Sequence, residues 1–163
     1  MVFENDLASQ GVLALFAKVQ NRGKTSFKVQ KSELKVFLSG QPLDTLSATE
    51  AADQAVKSEY VGKALGWTVA TGPFAMVLWP LTIGASAAHT NSVNKRIGQY
   101  FEGTQFHDAL VKPNETAGGF VYFKLPDGVK SLKGFTAEAC ASEEPGAGRL
   151  VYKFSLPALE LSK

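Results

Sequence analysis

The stretch GWTVATGPFAMVLWPLTIGASAAHT, Gly66 to Thr90, is what most limits the folds open to this chain. No Asp, Glu, Lys or Arg occurs from Ala64 through Asn94. A membrane-spanning helix needs about 20 apolar residues, so on length the block qualifies. Its surroundings argue against a single crossing. Strand-like sequence lies on both sides of it. If both flanks pair into one β structure, the two ends of the block must stay on the same side of any membrane. Two full crossings need about 40 residues plus a turn, more than the uncharged run supplies.

The flanks read as short strands and polar turns. GVLALFAKVQ ends at NRGK, where Asn21 and Gly23 tolerate positive φ and mark a turn. TSFKVQ and ELKVFLSG follow, with Phe27 and Val29, then Leu34, Val36 and Leu38, recurring every second residue. Period two means strands with one wet face. Beyond the block, GGFVYFKL is rich in aromatic and β-branched residues, PDG is a turn, and VKSLKGFTAEAC is a strand with an irregularity at Gly134. RLVYKFSLPAL alternates Leu150, Tyr152 and Phe154 with Val151 and Lys153. The order strands, helices, strands predicts an α+β chain: an immunoglobulin-like antiparallel β-sandwich with an inserted apolar helical hairpin. One domain covers 1–163, with a first strand group at 10–46, the insert at 47–103 and a second strand group at 117–158.

The insert opens on SATE, a capping box in which Ser47 and Glu50 satisfy each other's amides. Alanine-rich sequence continues the helix. Pro73 and Pro80 each cost a helix interior about 3 kcal/mol, so the chain is expected to bend at Gly72-Pro73. One arm then runs over 48–71 and the other over 81–101. Charges lie at the base of both arms: Lys57, Glu59 and Lys63, and Lys95, Arg96 and Glu102. The tip is apolar. Residues expected to enter a membrane or a partner are Trp67, Pro73, Phe74, Met76, Val77, Leu78, Trp79, Pro80 and Leu81. Small residues at four-residue spacing, Gly62, Gly66 and Ala70, with Gly84 and Ala88, suit close helix–helix packing, within the hairpin or between copies in a homo-oligomer. The competing reading buries the hairpin as core against the outer face of one sheet.

No constellation in the sequence points to catalysis. His107 and Asp108 are sequence neighbours, which do not face each other on a helix. Gly84-Ala85-Ser86-Ala87-Ala88 lacks the second glycine of a nucleophile elbow. Cys140, the one cysteine, reads as a small core residue, and Glu143 and Glu144 as a solvated turn. No cofactor fingerprint or metal-ligand spacing is present, so no cofactor and no metal are expected. A net charge of +2 with scattered lysines argues against nucleic acid. The opening MVFENDLASQ lacks a basic run before an apolar core and does not read as an export signal.

VQNRGKTSFKVQKSELKVFLSGQPLDTLSATE, followed by an Ala/Gly-rich apolar insert and VKPNETAGGFVYFKL, resembles a pattern in poorly characterised bacterial envelope proteins, often lipoproteins. The resemblance covers about Ala17 to Leu125 and rests on structural motifs. It implies an immunoglobulin-like sandwich at the bacterial cell envelope, on its periplasmic or outer-membrane face, and brings no catalytic residues. The lipidated cysteine of such proteins is missing here. The resulting expectation is a non-enzymatic envelope protein that docks on a membrane or builds an assembly with an envelope partner through the apolar hairpin. The alternative is a soluble β-sandwich binding module whose hairpin is core.

Overall fold

The computed structural model describes residues 7–56, 67–71, 74–78, 91–129, 131–146 and 148–156. Its elements in chain order are β1 (Val12–Gln20), β2 (Ser26–Val29), β3 (Leu34–Leu38), β4 (Gln41–Pro42), β5 (Thr45–Leu46), α1 (Ala48–Val56), β6 (Trp67–Thr71), β7 (Phe74–Leu78), α2 (Asn91–Thr104), β8 (Ala109–Val111), β9 (Thr116–Lys124), β10 (Phe135–Glu144) and β11 (Arg149–Ser155). The described part is mostly antiparallel sheet with two short helices, an α+β arrangement.

One sheet has the order β5-β9-β1-β7-β6. In the other, β10 pairs with β11 on one side and with both β2 and β3 on the other. Lys28 opposes Ser142, whereas Leu34 opposes Ala139. So β2 and β3 lie end to end along β10, separated by a 3-10 turn at Lys31–Glu33. β8 extends the sheet beside β2 and β4 beside β3. The β3–β4 turn places Ser39 at φ 51 and Gly40 at φ 83, the two positive values that a two-residue hairpin requires.

Alternation along β1 divides the interior into two cores. Leu13, Leu15, Ala17 and Val19 meet Val29, Leu34, Val36, Phe135, Ala137, Ala139 and Phe154 of the other sheet. Val12 and Ala14 face the other way, against Ala48, Ala51 and Ala52 of α1 and Phe101 of α2. This explains the local texture of the sequence. β1 and β9 are covered on both faces and read as nearly unbroken apolar runs, VLALFA and FVYF. β3 and β10 have one uncovered face and alternate. Each fully buried leucine or valine contributes about 1.5–3 kcal/mol.

The helices are built to sit close to the sheet. Ala48, Ala51 and Ala52 recur at i, i+3 and i+4, so α1 presents a small-residue face. Ile97 and Phe101 do the same for α2, with larger side chains. The capping box forms: the Ser47 amide donates to Glu50 Oε2 at 2.8 Å and the Glu50 amide donates to Ser47 Oγ at 3.1 Å.

The apolar block differs from expectation. Where a helical arm was expected up to Thr71, α1 is described to Val56, and Trp67–Thr71 is a strand. Phe74–Leu78, expected at the hairpin tip, is a second strand, paired antiparallel with the first. β7 then pairs with β1, Met76 opposite Ala17 and Phe74 opposite Val19. The physical reason lies in the spacing of breakers. Gly66, Gly72-Pro73 and Pro80 leave runs of five to six residues. That is about one and a half helical turns but a normal strand. The first arm therefore does not continue as helix through Ala70, and the close helix packing expected of that residue does not occur. The second helix is described over Asn91–Thr104.

Candidate attachment surface

The apolar strands occupy the border of the five-stranded sheet. β7 is the inner strand and β6 the outer, and among the described residues β6 pairs only with β7. Trp67 and Ala70 lie in β6, while Phe74, Met76, Val77 and Leu78 lie in β7. Gly62, Gly66, Pro73, Trp79, Pro80, Leu81, Gly84, Ala88 and His89 lie outside the described residues. The structure thus brings six of the expected attachment and packing residues onto one two-stranded ladder, as β rather than helix.

The border is also where the two sheets meet. β6 lies against β11, the outer strand of the second sheet. The remaining sheet borders among the described residues are short: two residues each in β4 and β5, three in β8. Short outer strands offer little template for unwanted pairing. The two long ones shelter each other.

The polar residues singled out in the sequence hold the fold together. Asp108 Oδ1 accepts the Lys31 amide at 2.7 Å, fixing the turn between β2 and β3 to the approach of β8. Glu143 Oε1 accepts the Thr25 hydroxyl at 2.6 Å. Cys140 is buried on β10, opposite Val151 of β11, and belongs to neither apolar core. It is enclosed, as expected, but on the sheet's outer side. A cleft of about 370 Å³ lies where Leu38, Pro42 and Leu43 meet Leu125 and Pro126, with Asp44, Lys124 and Asp127 also lining it.

Beneath the helices, Tyr122 is fully buried beside Phe101 and Phe120, its hydroxyl 3.5 Å from that of Thr104. Burial pushes this phenol up to about 12, against the opposing hydrogen bond from Thr104. The sign follows directly. Above pH 10 the unfolded chain ionises this group while the folded chain keeps it neutral, so its contribution is intact below pH 10 and is lost by about pH 12. The expected slope is about 1.4 kcal/mol per pH unit in that window. Urea titrations at stepped alkaline pH should show a steeper loss for the intact protein than for Tyr122→Phe. Parallel curves would mean the ring is not enclosed as described.

Sequence reasoning missed three features. Leu110 and Val151, about half exposed, sit on an outer sheet face; alternation along β11 could have flagged Val151, but the three residues of β8 could not flag Leu110. Asn21 is fully buried, which its turn-forming context concealed. Gly119 touches the chain leaving α2, a long-range contact with no local signal. Against known proteins, no family model, no curated protein and no solved structure matches this chain.

Proposed function

We propose that the chain is a non-enzymatic attachment module of the bacterial cell envelope. An immunoglobulin-like sandwich carries the charge-free segment at one border, where it docks on a membrane surface or joins an envelope partner. The observation that supports this most is the continuous ladder β9-β1-β7-β6. It joins a strand before the segment to one after it, so the segment leaves and returns on one side of the frame. No helix among the described residues is long and apolar enough to cross a membrane. The envelope location rests on the sequence resemblance.

Vesicle co-sedimentation tests this reading. Removing the whole segment would strip a strand from β1, so charged substitution of the outer strand is the better probe. Thr68→Glu with Ala70→Glu places two carboxylates in β6 at register positions in line with Phe16 and the exposed Lys18, not with the core residues Leu15 and Ala17, a charge that an outer strand tolerates and that opposes docking. The intact protein is expected in the vesicle pellet and the double variant in the supernatant, with both melting at similar temperatures. An intact protein that never pellets, with or without a candidate partner, would remove the reading.

A second reading is favoured by the five residue pairs between β7 and β1. There the segment closes the frame of a soluble binding module. It requires a monomer that needs no detergent and that unfolds when β6 and β7 are cut out.

A further inference from the structure

We infer that the outer face of the second sheet, the one containing β10, rests on a lipid bilayer carrying anionic headgroups. This rests on the attachment reading and adds which face meets the membrane and which lipid it needs.

The face is defined by register. On β10, Phe135, Ala137, Ala139 and Ala141 point into the shared core, so Thr136, Glu138, Cys140 and Ser142 point outward. Directly opposed residues share a face. Lys28 and Arg149 oppose Ser142, Lys35 and Lys153 oppose Glu138, Val151 opposes Cys140, and Leu110 opposes Lys28. Four cations and two aliphatic side chains therefore share one uncovered surface. Leu110 is 51% exposed and Val151 49%. The described residues of both helices pack on the other sheet and not on this face.

The charge balance favours an anionic partner. Arg149 pairs with Glu33 at 3.4 Å and Lys153 with Glu138 at 2.7 Å, their cationic side chains 60% and 77% exposed. Such exposed pairs are weak, so competing anions displace them at little cost. Lys28 and Lys35 make no ion pair with a described residue. Glu144, opposite Ser26, lies at the far end of the face. Cations around exposed aliphatics form the pattern of a surface that binds lipid headgroups and buries a few apolar side chains among them.

Lipid is favoured over other polyanions by what lies alongside. β11 carries Arg149, Val151 and Lys153, and the charge-free β6 lies against that strand. A bilayer uses both the cationic face and the apolar border. A nucleic acid would use only the first.

The test compares vesicles of phosphatidylcholine alone with vesicles in which a third of the lipid is phosphatidylglycerol. The intact protein is expected to prefer the anionic vesicles and to be released by added salt. Lys28→Glu with Lys35→Glu should bind them at least about 30-fold more weakly. Lys18→Glu, an exposed lysine of β1 outside this face, should bind as the intact protein does. Thermal melts of both variants and the intact protein check folding. Equal pelleting with both vesicle types, unchanged by Lys28→Glu and Lys35→Glu, overturns this face and leaves apolar attachment standing. Loss of binding in Lys18→Glu as large as in the double variant overturns it too. Absence from every pellet removes membrane attachment and this face together.

Discussion

Gly119→Ala is expected to destabilise the protein by about 3 kcal/mol and to lower its melting temperature by about 10 °C. A Cβ at this position would lie 2.6 Å from both the amide nitrogen and the Cα of Phe106, and 2.7 Å from the Gln105 carbonyl carbon. All three are backbone atoms, so no side chain can swing away. The approach is close because the chain leaving α2 crosses β9 here. The Phe106 amide donates to the Phe120 carbonyl at 2.7 Å, and Gln105 bridges to Phe120 in parallel. Relieving the clash would pull that crossing off the sheet and loosen the junction between the helical layer and β9. Gly118→Ala is the control. Its Cβ would meet the Ala17 carbonyl oxygen at 3.2 Å and the edge of the Phe16 ring at 3.3 Å, and a ring can tilt. A loss below about 1 kcal/mol is expected there. Thermal melts of the two variants decide the matter. Equal stability would mean that the crossing yields, and that the 2.6 Å contact does not constrain the fold.

What the sequence disclosed depended on how local the cause was. The Ser47–Glu50 cap lies within four residues and was legible. Gly134, expected as an irregularity inside a strand that begins at Val129, instead adopts φ 85 in the turn ahead of β10, which starts at Phe135. Strand existence followed from alternation wherever one face stays wet, as in β3 and β10. The apolar block was misread because apolar composition is ambiguous between buried helix and buried strand. Length between breakers should have decided it. Gly72-Pro73 is expected to be the bend of a helical hairpin, whereas it falls between two five-residue strands. β8 was missed because Ala109–Val111 is too short to show a period. The candidate surface was half legible. Its apolar members were named from the sequence, but the neighbouring cations are spread over β2, β3 and β11. Only register brings them together. Asn21 shows a right answer reached through the wrong cause. The turn was expected from tolerance of positive φ, yet neither Asn21 nor Gly23 adopts it.

What fixes that turn is the Asn21 side chain, and its replacement carries the other large expected effect. Nδ2 donates to the Thr25 carbonyl at 2.7 Å and to the Val111 carbonyl at 2.8 Å, while Oδ1 accepts the Gly23 amide at 2.8 Å. The backbone joins in: the Asn21 amide donates to Glu115 O at 3.0 Å, and its carbonyl accepts the Asn114 amide at 2.8 Å. The chain passes from the first sheet to the second between β1 and β2, and returns between β8 and β9. Asn21 ties both crossings together at one end of the sandwich. Asn21→Ala leaves the buried Val111 carbonyl and the part-buried Thr25 carbonyl without this donor and should cost about 2–4 kcal/mol. Asn21→Asp is nearly isosteric but turns an oxygen toward those same two carbonyls. As a carboxylate it is a buried, unmatched charge, with an expected loss of about 3–5 kcal/mol at neutral pH. Protonated, it regains one donor. Its folded-state pKa is therefore raised, so the variant should stand closest to the intact protein below about pH 4 and fall away as pH rises. Urea unfolding of both proteins at acidic and neutral pH measures this difference. A gap between them that does not widen toward neutral pH would mean that the amide is not the donor to Thr25 and Val111. The two crossings would then be held by the backbone bonds alone.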